Sequence, residues 1–377
     1  MKKILIAFAA VFLIVGCTPA EEKTVEKNEP IVIGAIGALS GDAASYGQLT
    51  QKVSEIRVAE INAAGGIRGR ELKLIWEDGK CNPADASRSA QKLVNVDKVS
   101  VIFGGTCSGE TLGAAPITEK KSVILFSSIS SSPEVTDAGD FVFRTYPSDA
   151  SQGKILGNFA GEKFEKIGML SEQTDYSVAL ATVFEENFSG EIVAETFLPT
   201  ESDFRTRITK LKNENLNALF LNAQSPHKTS IVLKQLAELD WNSPVIGNEM
   251  ILSDASITAE HANFLEKTHA IGANFLTDTE LPKFQEFVKK FEEKFGEPPA
   301  YENYTAATLD AIDILAEVLK KIDDPTDTIA IRDELYKIQN HDGFSGKIAF
   351  DKNGDVRGAH KLFEFDGEKF VPIADQK

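Results

Sequence analysis

Apolar residues in this chain fall into two alternating patterns. Short continuous runs of β-branched and aromatic residues are followed by longer stretches with apolar positions at helical spacing. The first run, Ile31-Val32-Ile33-Gly34-Ala35-Ile36, predicts a strand buried on both faces. Val53, Ile56, Ala59 and Ile61 then mark one face of a helix, and Gly65-Gly66 supplies residues that tolerate its left-handed end. The same unit recurs at 72–76 with 84–94, 101–103 with 112–118, a lone strand at 123–126, 167–170 with 178–188, 192–197 with 204–211, and 218–221 with 231–239. Repeated βα units imply parallel sheets. Two further helices are expected at 284–295 and 305–319, then a turn-rich segment over 341–372 in which Asp366-Gly367 marks a hairpin. One sheet holding all these strands would need about nine of them, so two stacked α/β lobes are the simpler division, in keeping with the size one core usually organises.

The N-terminus breaks the pattern. Lys2-Lys3, an apolar run of roughly a dozen residues and Gly16-Cys17 follow the charged, hydrophobic and small-residue order of a secretory signal. The run falls short of the about 20 apolar residues that span a bilayer. Ile14-Val15-Gly16-Cys17 resembles the bacterial lipobox, which implies cleavage after residue 16 and acylation of Cys17; an ordinary cleaved signal is the alternative. Residues 18–29, TPAEEKTVEKNE, have too little apolar surface to order themselves, and as a coil they would hold the body on the order of 20 Å from a membrane.

Charge and cysteine count narrow the picture further. Acids outnumber bases 57 to 40, a net charge of −17, and losing Lys2 and Lys3 with the signal leaves 38 bases and a net of −19. Such a surface repels nucleic acid and anionic lipid, so membrane attachment is left to the acyl chain. Of three cysteines, lipid on Cys17 accounts for the odd one. Cys81 and Cys107 can then close a disulfide worth roughly 3.5 kcal/mol for a loop of that length, two free buried thiols being the alternative.

Enzyme signatures are missing from the sequence. There is no H-E-x-x-H, G-x-S-x-G or G-x-x-x-x-G-K-[ST], and the five histidines are scattered, so no cofactor or metal is expected. Asp351-Lys352-Asn353-Gly354-Asp355 begins like a calcium loop but lacks its later positions, and reads as a turn. Polar residues gather instead just after apolar strands, where open parallel sheets bind ligands. They are 37–41 with Tyr46-Gly47, Gly104-Gly105-Thr106-Cys107-Ser108, and the serine run 127–132 before Pro133. Hydroxyls and helix N-termini there suit a small carboxylate, although each serine singly also reads as a helix cap.

These segments, with Ile61-Asn62-Ala63-Ala64-Gly65-Gly66-Ile67-Arg68-Gly69, the spaced Cys81 and Cys107, residues 148–153, Asp203-Phe204, Gly343-Phe344-Ser345-Gly346 and 350–355, resemble the type I periplasmic binding proteins of the leucine/isoleucine/valine-binding family. The likeness runs nearly end to end. It implies two doubly wound lobes joined by three crossovers, near Ser148, Ile271 and Phe350, with 30–147 plus 272–348 in one lobe and 148–271 plus 349–377 in the other. It also implies a monomeric receptor that binds an amino acid and serves an ABC transporter permease. By match to the family motif, Ser108 meets the ligand carboxylate and Ser131 holds the ligand backbone, with Ser130 and Ile129 as adjacent main chain. Tyr176 closes over the ligand, Tyr46 forms a wall and Glu249 pairs with the α-ammonium. The chain departs from the family at 222–226, where Gln224 and Ser225 replace an aromatic; that change fits a polar amino acid, an amide or a small carboxylate. A ligand-sensing module is the alternative to transport.

Overall fold

The computed structural model describes residues 29–275, 277 and 279–373. The signal segment, Cys17 and the stalk up to residue 28 lie outside the described residues. Among the described residues no helix is long and apolar enough to cross a membrane.

The first lobe is built from β1 (Ile31–Gly37), α1 (Ala44–Ala63), β2 (Leu72–Asp78), α2 (Pro83–Asn95), β3 (Val101–Gly104), α3 (Ser108–Lys121), β4 (Ile124–Ser127) and β5 (Val142–Arg144). Its five strands are parallel, in the order β2-β1-β3-β4-β5. Every residue of β3 and β4 is buried, as expected for strands covered on both faces.

The second lobe follows with α4 (Ala150–Lys163), β6 (Lys166–Glu172), α5 (Asp175–Asn187), β7 (Glu191–Phe197), α6 (Arg205–Lys212), β8 (Ala218–Asn222), α7 (Pro226–Glu238), β9 (Val245–Gly247), α8 (Ala255–Lys267) and β10 (Ile271–Phe275). The chain then returns to the first lobe with α9 (Pro282–Phe295), α10 (Glu302–Lys321), α11 (Thr328–Tyr336) and the hairpin β11 (His341–Gly343) and β12 (Gly346–Ile348). It ends in the second lobe with β13 (His360–Phe365) and β14 (Phe370–Pro372), antiparallel strands that complete the order β14-β13-β10-β9-β8-β6-β7.

The expected βα units, two lobes and final hairpin are present, and Asp366 and Lys369 close the hairpin turn. Two expected crossover points shift. β10 pairs with β9 and β13, so residues 272–275 belong to the second sheet and the crossing lies beyond Phe275. Phe350 packs into the first-lobe core beside Phe126 and Phe143, so residues 349–356 stay with the first lobe and the last crossing falls between Val356 and His360. An ion pair explains that second shift. Arg144 at the end of β5 is fully buried and binds Asp355 bidentately, Nε to Oδ1 at 2.6 Å and one terminal nitrogen to Oδ2 at 2.7 Å. The 351–355 turn thereby docks Asp355 on the first lobe, while Asp351 Oδ1 accepts from the Asn353 and Asp355 amides.

Both strand orders reverse within each lobe, between β1 and β3 and between β6 and β8. Each reversal opens a crevice at the carboxyl ends of the strands. The two crevices face each other.

Candidate functional site

Between the lobes lies a cavity of about 30 Å³ lined by Tyr46, Thr106, Cys107, Ser108, Ile129, Ser131, Tyr176, Gln224, Glu249, Met250 and Tyr304. Every lining residue except Tyr304 follows a strand end or starts the next helix.

The first-lobe wall is made largely by backbone. Cys107 caps α3, which begins at Ser108, so the free N–H groups and positive end of that helix lie at the cavity. Cys81 and Cys107 are disulfide-bonded, with Cα atoms 5.2 Å apart. Buried Glu110 ties the two halves together: Oε1 accepts from the Cys81 amide at 2.9 Å, and Oε2 from the Thr106 and Cys107 amides at 2.9 and 3.0 Å. Burial pushes its carboxyl up to about 7 despite those three donors.

The serines divide by which hydrogen each has left to give. Ser108 Oγ accepts from the Ser132 amide at 3.1 Å, which leaves its own proton free to donate to an anion. Ser131 Oγ donates to Asp149 Oδ2 at 2.7 Å, so toward a ligand it offers lone pairs. Ser130 does not line the cavity: its hydroxyl is buried in the first lobe against Gly105 O at 3.0 Å and Thr111 Oγ1 at 2.7 Å. Arg144 fixes the whole serine run by donating to Ser132 O at 2.8 Å and Ser130 O at 3.3 Å.

Glu249 forms the opposite wall. It follows β9 and is 2% exposed, with Oε2 accepting from Tyr146 Oη at 2.8 Å and Oε1 from Tyr304 Oη at 2.9 Å. Neither donor carries a charge, and no cation pairs with the carboxylate among the described residues. Burial first, and the nearby charge of Asp149 second, push its carboxyl up to about 8. Such a group is stabilised as a carboxylate by an incoming ammonium. A network underneath places it: Asn248 donates to Asn222 Oδ1 and Ala223 O, and Asn222 donates to Ser171 Oγ and Ser177 O, joining the ends of β6, β8 and β9.

Five of the six tyrosines gather here. The Tyr46 ring lies 5.2 Å from Tyr301 and 5.6 Å from Tyr304, and Tyr304 lies 5.2 Å from Tyr146. Gly47, the next residue, lets the start of α1 lie against the chain just after β1, because a Cβ there would stand 2.2 Å from Ala38 O. Contacts across the cleft hold the lobes together: Tyr46 Oη to Met250 Sδ at 2.9 Å, Gln224 Nε2 to Cys81 Sγ at 3.4 Å, Tyr301 Oη to Asp254 Oδ2 at 3.3 Å, and Lys228 Nζ to Asp42 Oδ2 at 3.4 Å.

Ser108, Ser131, Tyr46, Tyr176, Gln224 and Glu249 are therefore brought together, and Ile129 joins them. Sequence reasoning missed Tyr146, Met250, Asp149 and Tyr304 as site residues, and named Thr106 only within the polar segment 104–108. The scarcity of tyrosine, with Tyr301 and Tyr304 three apart at the head of a helix, was the signal for part of that set. No group of three His, Cys, Asp or Glu side chains placed to hold a metal occurs among the described residues.

The periplasmic binding protein family model matches residues 30–368. The Leu/Ile/Val-binding protein of Escherichia coli (strain K12) is 26% identical over 362 residues, covering 94% of each chain. Among solved structures, the branched-chain amino acid transporter substrate-binding protein LivJ of Streptococcus pneumoniae, in complex with isoleucine, aligns with a TM-score of 0.76 at 26% identity over 91% of this chain and 100% of that one. The leucine-binding protein LivK of Thermotoga maritima shares the fold, with a TM-score of 0.80 at 22% identity over 91% and 98%. Two facing α/β crevices, a family match over nearly the whole folded body and these relatives give one conclusion: the chain belongs to the periplasmic binding proteins, type I, of the branched-chain amino acid family, which bind solutes and are not enzymes.

Proposed function

We propose that this protein is an extracytoplasmic receptor, held to the membrane by lipid on Cys17, that captures an amino acid between its lobes and delivers it to the permease of an ABC importer. The observation that carries the reading is the buried, uncompensated Glu249 facing Ser108 and the start of α3 across one small cavity. A zwitterion has the complementary ends. Its ammonium meets Glu249 and the lone pairs of Ser131, and its carboxylate meets the Ser108 hydroxyl and the helix N-terminus. Tyr176 and Tyr46 cover the ligand from opposite lobes.

Capture works through the lobe equilibrium. Glu249 rides on the second lobe while Ser108 and Tyr304 ride on the first, so a ligand touches the full set only when the cleft is closed, and it stabilises that state by the difference. The lipid and stalk would keep the closed receptor near its permease.

Calorimetric titration with L-valine, its 2-oxo acid and the corresponding amine tests the site. Only the compound with both charged ends should bind; equal binding of the oxo acid would remove Glu249 from the role. Cys17→Ser should move the protein from the membrane to the soluble fraction, and unchanged membrane association would remove the anchor.

A further inference from the structure

The two charged ends use only part of the cavity lining. The rest comes from Thr106, Cys107 and Gln224, with Tyr46 and Met250. Gln224 follows β8, where its backbone N–H donates to Glu172 Oε2 at 2.8 Å, so the residue is fixed in place. Its carboxamide reaches across the cleft, yet its one hydrogen bond among the described residues is to the Cys81 sulfur at 3.4 Å, a weak acceptor. Thr106 is 4% exposed, and its hydroxyl has no hydrogen-bond partner among the described residues. The chain thus lines the remaining space with polar groups whose hydrogen-bonding capacity is largely unspent.

Resting on the amino-acid reading above, we propose that Gln224 and Thr106 make this receptor selective for short amino acids bearing a hydroxyl or carboxamide, with threonine preferred over valine. Threonine and valine have nearly the same shape, and they differ in whether the branch carries a hydroxyl. A valine methyl would seal the Gln224 carboxamide and the Thr106 hydroxyl from water with nothing to bond, whereas the threonine hydroxyl donates and accepts in the same volume. A site built around buried polar groups rejects the apolar analogue more strongly than an apolar pocket rejects a polar one. Asparagine, with its carboxamide one carbon from the backbone, belongs to the same class.

Calorimetric titration of the full-length protein with L-threonine, L-asparagine, L-valine and L-leucine, with L-alanine as a reference for the shared backbone, tests this. L-threonine should bind at least about tenfold more tightly than L-valine. In Gln224→Leu the threonine-to-valine affinity ratio should fall at least about fivefold, and Thr106→Val should lower it in the same direction. Valine binding as tightly as threonine in the wild type overturns the proposal while leaving the amino-acid reading intact. A ratio unchanged in both variants does the same. Failure of all five amino acids to bind, alanine included, brings down both readings.

Discussion

The two walls of the cleft are built in different ways. On the first lobe the polar groups are supplied locally: backbone amides at the head of α3 and serines after β4, braced by a disulfide, by Glu110 and by the Arg144–Asp355 pair. On the second lobe one carboxylate stands at the end of β9, and neither tyrosine that bonds it comes from that lobe. Tyr304 heads α10 and Tyr146 lies just past β5. The donor wall is complete within its lobe; the acceptor wall is completed by closure. In the proposed function that asymmetry would let the first lobe offer its donors to a ligand carboxylate before closure, while the acceptor for an ammonium would be completed only when the lobes meet.

Removing the brace should show the largest effect. Asp355→Ala leaves the Arg144 guanidinium buried without its partner, and unfolding in urea should report a loss of about 3–5 kcal/mol. A loss below about 1 kcal/mol would mean that the donor wall does not depend on that pair.

Next is Glu249→Gln, which keeps the shape of the acceptor and removes its charge. Amino-acid affinity should drop by about 100-fold or more, the loss of a charge-assisted bond in a dry site. Stability without ligand should not fall, since burying the charge is unfavourable there; retained affinity would sink the role.

The raised carboxyl of Glu249 also sets a pH signature. The folded protein holds a proton that the unfolded chain gives up at the ordinary carboxylate value, so the stability from this group is fully present below about 4.5 and is lost as pH rises through about 8. Glu110, pushed up to about 7, acts in the same direction over a lower window. Melting temperature should therefore fall between pH 7 and 8.5 in the wild type and flatten there in Glu249→Gln. An identical slope in both would assign the loss elsewhere.

Tyr304→Phe removes one of the two bonds that closure adds to Glu249, and affinity should weaken by about tenfold. The smallest effect belongs to the rim. Asp42 is largely exposed where it meets Lys228, so Asp42→Asn should speed ligand release by about twofold, and the effect should vanish in high salt.

Residues with a local meaning were legible before any coordinates. Ser108 follows an apolar strand and opens a helix, Glu249 sits in a short match to a known family, and the hairpin at Asp366-Gly367 is written in its turn residues. Tyr304 was hidden because it falls just before the helix expected over 305–319, and its bond to Glu249 spans 55 positions. Tyr146 reaches the same carboxylate across 103 positions. The serine run holds five hydroxyls that look alike in sequence, yet only partners elsewhere in the chain separate Ser131, which lines the cleft, from Ser130, which is turned into the core.

Sequence alone determined the alternation of strand and helix, the division into two lobes, the placing of polar residues at strand ends and the cysteines free to pair. These follow from local periodicity and from side-chain chemistry, which do not depend on distant contacts. Tertiary structure decided which hydroxyl has a proton to give, that Glu249 is buried among tyrosines with its carboxyl raised, and where the crossovers lie. Those properties belong to pairs of residues brought together by folding, and hydrogen-bond direction, desolvation and ion pairing exist only once both partners are in place.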